Sequence, residues 1–278
     1  MNYKIILIFF IIIASSGMAS AQLTTSLSMY DDGQDNSSYT SEWTKFYANY
    51  SSDDGYNLGQ VLYRNPTDLG TSYSVTAFDP AGTGNKTAIA FSESDNIRAH
   101  YANGTEIWNS YNSQFDYAYN MFSGDFNNDS FEEIAFVSSH GELFVLNGSD
   151  GSVLYESTDY YTGYSMEYGD IDDDGLQDDF VMGVRDVNGA TGNNYGIVVF
   201  IYNNTLGNFS VSWTQSGTAG AIRDVAISEV TGTNLVGWVN DGGGRVYVYY
   251  ADGTLKWNSG DRGNSYSLDF YDQAEDGE

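Results

Sequence analysis

Two short stretches, residues 124–136 and 169–181, share the pattern D-x-[DN]-x-D-[GS]-x-x-[DE] ahead of a run of apolar residues. In the second stretch Asp170, Asp172 and Asp174 take positions 1, 3 and 5, the carbonyl of Leu176 takes position 7, and Asp178 takes position 9. Oxygen ligands at these positions hold calcium in loop sites. Three or four carboxylates so close together repel one another unless a cation lies among them. The spacing therefore predicts a Ca²⁺ site.

The first stretch offers a similar set of oxygen donors. Its predicted ligands are Asp125, Asn127, Asp129, the carbonyl of Phe131, and Glu133. Ser130 stands at position 6, where glycine suits the sharp turn better. Position 12 is a bidentate Glu in an EF-hand but Phe136 or Val181 here, so neither loop is an EF-hand. The alternative interpretation is a hairpin turn without metal, because Asp, Asn and Gly are common in turns.

The two stretches lie 45 positions apart, and this period extends through most of the chain. Each unit predicts four short strands separated by turn residues, with the acidic loop between the first strand and the second. The units fall at about residues 72–115, 116–160, 161–219 and 220–262. The matching loops that begin at Asp79 and Glu229 lack ligand residues at later positions, so no metal is predicted in either.

An aromatic residue recurs in the predicted fourth strands, as Trp108, Tyr155 and Trp257. Such a recurrence favours packing between neighbouring sheets. In the third unit the loop from Arg185 to Tyr195 is unusually long and rich in Gly and Asn. A long loop on a regular scaffold is a candidate for binding specificity.

The two ends of the chain are predicted to complete a fifth unit. Residues 266–272 suggest a first strand, followed by Asp272 and Asp276 as the opening of a further acidic loop. Residues 23–30, 43–50 and 59–65 suggest the second, third and fourth strands of the same unit. Joining residues 263–278 to 22–71 would close five blades and remove the exposed sheet edges. The alternative is a fragment of a larger propeller.

The repeated acidic loop ahead of a buried strand, in units of this length, resembles the FG-GAP/VCBS repeats of integrin-α-like β-propellers. The resemblance covers about residues 72–278, and the motif is well preserved only in the two stretches described above. It implies an all-β fold, a β-propeller of four-stranded blades, with calcium bound in hairpins between the first and second strands. It also implies a secreted adhesion or ligand-binding protein.

Residues 1–21 have the features of a secretory signal peptide. Lys4 precedes an apolar run at residues 5–14, and Ala19-Ser-Ala21 forms a small-residue cleavage site before Gln22. An uncleaved membrane anchor is the alternative. The mature chain, residues 22–278, is predicted to be one β-propeller domain that is secreted or held at the cell surface, without membrane insertion.

Two features of the composition concern the stability and glycosylation of an exported protein. The chain has no Cys, so its stability is expected to come from packing and bound ions rather than disulfides. Eight N-x-[ST] sequons, against about four expected by chance, suggest a glycoprotein. They begin at Asn36, Asn49, Asn85, Asn103, Asn128, Asn147, Asn203 and Asn208.

Charge and motif content narrow the functional classes. A formal net charge of −28 argues against nucleic acid as a partner, because nucleic-acid binding needs basic patches. His100 and His140 fall in different units and no catalytic motif accompanies them, so no enzyme and no catalytic residue is predicted. Two hypotheses remain: an adhesion or protein-interaction module with an extracellular protein partner, and a lectin that binds a surface glycan between blades.

Overall fold

A computed structural model describes residues 46–51, 57–63, 73–93, 95–101, 104–187, 194–218, 220–228, 234–261, 263 and 265–270. The chain divides into two compact units. One comprises residues 1–69 and 101–105, and the other comprises residues 70–100 and 106–278. The predicted signal peptide, residues 1–21, lies outside the described residues.

The larger unit consists of four sheets that follow one another along the chain. Sheet 1 holds β3 (Val75–Phe78), β4 (Ala88–Glu93), β5 (Asn96–Tyr101) and β6 (Glu106–Tyr111). Sheet 2 holds β7 (Asn120–Gly124), β8 (Glu133–Val137), β9 (Leu143–Asn147) and β10 (Val153–Glu156). Sheet 3 holds β11 (Gly163–Gly169), β12 (Asp179–Val184), β13 (Tyr195–Asn203) and β14 (Asn208–Thr218). Sheet 4 holds β15 (Ile222–Ser228), β16 (Leu235–Asn240), β17 (Val246–Tyr250) and β18 (Leu255–Asn258).

Each of these sheets is a four-stranded antiparallel meander, in which strands adjacent in sequence are adjacent in space. The sheets fall inside the four predicted units, so the predicted strand order of those units is confirmed. β7 begins only at Asn120, and Asp116, whose φ of 38° does not suit a regular strand, lies outside it.

The second strands form the buried layer of the molecule. Every residue of β8, β12 and β16 is buried. Their sequences are continuous apolar runs with little alternation, as expected for strands covered on both faces. Three apolar clusters fill the spaces between sheets 1 and 2, 2 and 3, and 3 and 4. Consecutive sheets therefore pack face to face, each covering the next.

Residues 265–270 lie against sheet 4 but form no assigned strand. A β-carbon at Gly237 of β16 would approach Leu268 to 2.7 Å and Phe270 to 2.9 Å. A β-carbon at Gly183 of β12 would likewise approach Ile222 of β15, the next first strand, to 2.6 Å. This segment therefore lies against β16 as β15 lies against β12, but without ladder pairing among the described residues. That it is the first strand of a fifth unit stays a prediction. Its predicted ladder partner, residues 23–30, is outside the described residues, and so are Asp272 and Asp276.

The smaller unit contains one hairpin among the residues that the structure describes. Strands β1 (Phe46–Ser51) and β2 (Asn57–Tyr63) pair antiparallel, with Tyr50 opposite Leu58. They match the predicted third and fourth strands of a fifth unit. Closure of five blades stays a prediction. No helix in the described part of the chain is long and apolar enough to cross a membrane.

Candidate metal centre

The loop between β11 and β12 brings three predicted ligands together. One carboxylate oxygen from each of Asp170, Asp172 and Asp174 lies within 4.8 Å of the others. Backbone hydrogen bonds hold this arrangement, because the N–H groups of Asp174 and Gly175 donate to the two oxygens of Asp170 at 3.0 and 2.9 Å. Asp173 and Gly175, with φ of 62° and 90°, turn the chain back on itself between the ligands. The sequence spacing is thus realised as a compact oxygen cluster.

Two buried carboxylates lie at the end of this loop. Asp178 is 1% exposed, and its Oδ2 is buried without a hydrogen-bond partner in the described part of the chain. Burial, followed by the charges of Asp174 and Asp172, raises the pKa of Asp178 to about 7. Burial also raises the pKa of Asp179 to about 7. Unlike Oδ2 of Asp178, Oδ2 of Asp179 accepts hydrogen bonds: the N–H groups of Ile171 and Asp172 donate to it at 2.9 and 3.1 Å.

This donor set fits a divalent cation. Hard cations such as Ca²⁺ prefer carboxylate and carbonyl oxygens. Asp170, Asp172 and Asp174 supply three carboxylates, and the unpartnered buried oxygen of Asp178 is the kind of group that a cation would satisfy. Burying such a charge without a partner is costly. The residues that would hold Ca²⁺ here are therefore Asp170, Asp172, Asp174 and Asp178, with the carbonyl of Leu176.

The loop between β7 and β8 has the same backbone hydrogen bonds. The N–H groups of Asp129 and Ser130 donate to Oδ1 and Oδ2 of Asp125, both at 2.9 Å. The side-chain amide of Asn127 donates to Asp129 and to Glu133 at 3.1 and 3.2 Å. Asp125, Asp129 and Glu133 do not form a cluster of three convergent carboxylates among the described residues. The carbonyl of Phe131, the remaining predicted ligand, stays a prediction.

The ladder register shows a correspondence between the loops that the sequence pattern does not. Glu133 pairs with Gly124, and Asp179 pairs with Gly169. Glu133 also accepts the N–H of Phe126 at 2.9 Å, as Asp179 accepts that of Ile171. By position in the ladder, Glu133 therefore corresponds to Asp179 and not to Asp178.

The equivalent of Asp178 in the first loop is Glu132, which points to sheet 1. Its Oε2 accepts the N–H of Asp79 at 2.7 Å, and its Oε1 lies 3.4 Å from Nζ of Lys86. Burial, followed by the charge of Asp129, raises the pKa of Glu133 to about 8. The ladder register is the signal that identifies Asp179 and Glu132, and it becomes available only once the strand ends are known.

The loop that begins at Asp79 contains no second acidic ligand. Asp79 is 2% exposed and accepts hydrogen bonds from Ala81 N–H, Thr83 Oγ1 and Asn85 N–H at 3.0, 3.0 and 3.1 Å. Although burial acts to raise it, these bonds bring the pKa of Asp79 below its ordinary value. The loop is closed by its own donors; that it binds no metal stays a prediction. Residues 229–233 of the fourth loop lie outside the described residues.

The other functional candidates from the sequence lie apart from the acidic loops. His100 is in β5 and His140 is in the turn between β8 and β9, so they belong to different sheets. In the long loop of sheet 3, the guanidinium of Arg185 lies 5.1 Å from the ring centre of Tyr161. Residues 188–193 of that loop are outside the described residues.

A cavity of about 300 Å³ opens beside the Asp125 loop, between sheets 2 and 3. Asn127 and Asp129 contribute to its wall, together with Tyr155 of β10 and Tyr202 of β13. Burial, followed by the carboxylates of both acidic loops, raises the pKa of Tyr202. The cavity thus has aromatic walls within the negative field of the loops.

No family model matches the chain, and no curated protein matches it. Among solved structures, a crystal structure of Sqt1 from Saccharomyces cerevisiae is similar, with a TM-score of 0.57 and 14% identity over 78% of this chain and 56% of that chain. The Dos1 propeller has a TM-score of 0.46 and 11% identity over 68% of this chain and 46% of that chain. BBS1N, in complex with ARL6DN and soaked with lead, has a TM-score of 0.47 and 11% identity over 72% and 58%.

The chain spans 56% of the length of the Sqt1 chain. The resemblance to FG-GAP/VCBS repeats stays a prediction, because no family model matches the chain. Four antiparallel four-stranded sheets in sequence order, together with the likeness to Sqt1, show that the chain has a β-propeller fold.

Proposed function

We propose that this chain is a secreted or cell-surface calcium-binding β-propeller of the FG-GAP/VCBS type that acts as an adhesion or protein-interaction module, without enzymatic activity. The observation that carries the proposal is the convergence of Asp170, Asp172 and Asp174 within 4.8 Å, next to the buried Asp178, whose Oδ2 has no hydrogen-bond partner in the described part of the chain. The signal-peptide pattern of residues 1–21 supports export.

Calcium in the Asp170 loop would act on the scaffold. The loop joins neighbouring elements, since the side-chain amide of Asn234, just before β16, donates to the carbonyl of Asp170 at 2.6 Å. Asn204, in the turn between β13 and β14, donates to Oδ2 of Asp174 at 3.3 Å. A cation that neutralises the loop would therefore stabilise contacts within sheet 3 and towards sheet 4. Partner specificity would belong to other loops of the propeller, such as residues 185–195.

Calorimetric titration of the full chain with CaCl₂ tests the metal site. We expect binding at about 10⁻⁴–10⁻³ M or tighter, the range of extracellular calcium modules. Asp174→Ala should remove one site, because it deletes both ligand oxygens of the side chain. Asp252→Ala, in the exposed turn between β17 and β18, is the control and should bind as the parent does. An unchanged number of sites in Asp174→Ala would refute the Asp170 site.

Export has a separate test. Expression in a secreting host should release a protein whose first residue, read by mass spectrometry, is Gln22. A membrane-retained protein that still begins at Met1 would instead support the anchor interpretation.

A lectin is the second candidate, favoured by the aromatic-walled cavity between sheets 2 and 3. Aromatic rings pack against the apolar faces of sugars while amides and hydroxyls bind their hydroxyl groups. Under this alternative the partner is a surface glycan, and calcium stabilises the scaffold as before.

A further inference from the structure

A tryptophan side chain packs in two of the three spaces between the four described sheets. Trp108 of sheet 1 donates from Nε1 to the carbonyl of Gly148 at 2.7 Å, and a β-carbon at Gly151 would lie 2.6 Å from its ring. Trp213 of sheet 3 donates from Nε1 to the carbonyl of Ala251 at 2.6 Å, and a β-carbon at Gly253 would lie 3.0 Å from its ring. Each indole thus lies on the turn between the third and fourth strands of the next sheet.

In the middle space this position is held by Tyr155. The ladders place it as they place the two tryptophans: Tyr155 pairs with Val145 of β9, as Trp108 pairs with Ala99 of β5 and Trp213 with Val199 of β13. The turn of the next sheet ends at Gly207, and a β-carbon there would meet nothing closer than the hydroxyl of Tyr202, at 3.9 Å. The smaller ring leaves the cavity of about 300 Å³ that Gly207 and Tyr155 line.

The cavity has both aromatic and polar residues in its lining. Phe209 forms part of the wall, with ring centres 5.1 Å from Tyr155 and 4.9 Å from Tyr202. Polar groups lie at Asn127, Asp129 and Asn208. Concave sites with apolar walls and a few polar groups are typical of small-molecule binding, and about 300 Å³ is at the lower end of their size range.

We propose that the cavity between sheets 2 and 3 binds one neutral sugar ring of a glycan. This inference rests on the second candidate function and names its site. A sugar ring has an apolar face for Tyr155 and Phe209 and hydroxyl groups for the amide of Asn208 and the carboxylate of Asp129. The carboxylates of the adjoining loop disfavour an anion, so acidic sugars and phosphates are excluded. Tryptophan occupies the corresponding position between sheets 1 and 2 and between sheets 3 and 4, so among the four described sheets this site is specific to sheets 2 and 3.

The test uses the calcium-saturated full chain and methyl glycosides of glucose, galactose, mannose, fucose and N-acetylglucosamine, followed by saturation-transfer NMR and titration. We expect at least one glycoside to bind. Tyr155→Trp should weaken that binding about tenfold or more, the equivalent of about 1.4 kcal/mol, because the indole fills the cavity. Its melting temperature should stay the same or rise, because an inter-sheet contact is restored.

Two further variants complete the design. Tyr111→Trp makes the same substitution at a residue that is 69% exposed, and it should bind as the parent does. Asn208→Ala removes a rim amide without adding volume and should also weaken binding, which keeps the test decisive if Tyr155→Trp folds poorly. Binding of none of the five glycosides, or parental affinity in both Tyr155→Trp and Asn208→Ala, would overturn the inference.

The calcium site is judged separately by calorimetric titration. Calcium binding with no sugar binding counts against this inference alone, and sugar binding without calcium binding counts against the metal site alone.

Discussion

The Asp170 loop of sheet 3 and the Asp79 loop of sheet 1 both join the first strand of their sheet to the second. They differ in what surrounds their buried carboxylates. In the Asp79 loop one carboxylate meets three donors from the protein itself, and its pKa lies below the ordinary value. In the Asp170 loop three carboxylates converge within 4.8 Å and Oδ2 of the buried Asp178 has no donor in the described part of the chain; burial, followed by the charges of Asp174 and Asp172, raises the pKa of Asp178 to about 7. The balance between carboxylates and donors decides whether such a loop needs a cation.

The largest expected difference between the two loops is in how their variants change the effect of calcium removal on the melting temperature. With calcium at about 1,000 times Kd, binding adds about 4 kcal/mol of stability, so EDTA should lower the melting temperature by roughly 10 °C. Asp170→Asn should abolish this difference, because it removes a charged ligand and one of the two oxygens that accept backbone hydrogen bonds. Differential scanning calorimetry with and without EDTA measures it.

Asp79→Asn is the matched control for that experiment. It should lower the melting temperature in both conditions and leave the calcium difference intact. A calcium difference that survives in Asp170→Asn but disappears in Asp79→Asn would reverse the assignment of the two loops.

The pH dependence of stability should have opposite signs in the two loops, with shifts of a few °C. Without calcium, the raised pKa of Asp178, caused by burial and then by Asp174 and Asp172, means that the folded state holds its proton more tightly than the unfolded state. Stability is therefore greatest below about pH 4 for this group and falls as the pH rises through about 7. The lowered pKa of Asp79 contributes stability above 3.8 that is lost only as the pH falls below that value.

Thermal melts in EDTA between about pH 5 and 8 measure the first effect. Asp178→Asn should make the decline less steep, while Asp179 and Glu133, whose pKa values are also raised, keep part of it. Asp79→Asn should leave the slope unchanged in that range. A parental slope in Asp178→Asn would show that this buried carboxylate does not control the pH response.

The smallest effect concerns the two acidic loops themselves, at position 6. Ser130 has a φ of 76° and Gly175 a φ of 90°, so both lie in the left-handed region that disfavours a side chain. Gly175→Ser should cost about 1 kcal/mol from backbone strain alone, since a β-carbon there meets nothing within 4 Å. Ser130→Gly should gain roughly 0.5 kcal/mol, because relief of strain exceeds the added entropy of the unfolded chain. Urea unfolding measures both changes in the free energy of unfolding. If the two variants changed it in the same direction, the shared positive φ at position 6 would not explain their effects.

Much of the fold follows from local patterns. Apolar runs such as those of β8 and β12 predict buried strands, and turn residues such as Gly151 and Gly253 separate the third strands from the fourth. The spacing of Asp170, Asp172 and Asp174 likewise predicts their convergence, because a loop of so few residues cannot move them far apart. The ladder equivalence of Glu133 and Asp179 escapes this reasoning, since the second loop is one residue longer and only strand pairing reveals it.

The sequence by itself determined four repeating units, their strand order and the acidic cluster, because these depend on residues close together along the chain. The tertiary structure decided which side chains face each other across sheets. It turned Glu132 towards Asp79 and Lys86 of sheet 1, and it placed Tyr155 where the neighbouring spaces hold tryptophan. Those contacts join residues about 50 positions apart, and their geometry depends on how whole sheets stack rather than on any local pattern.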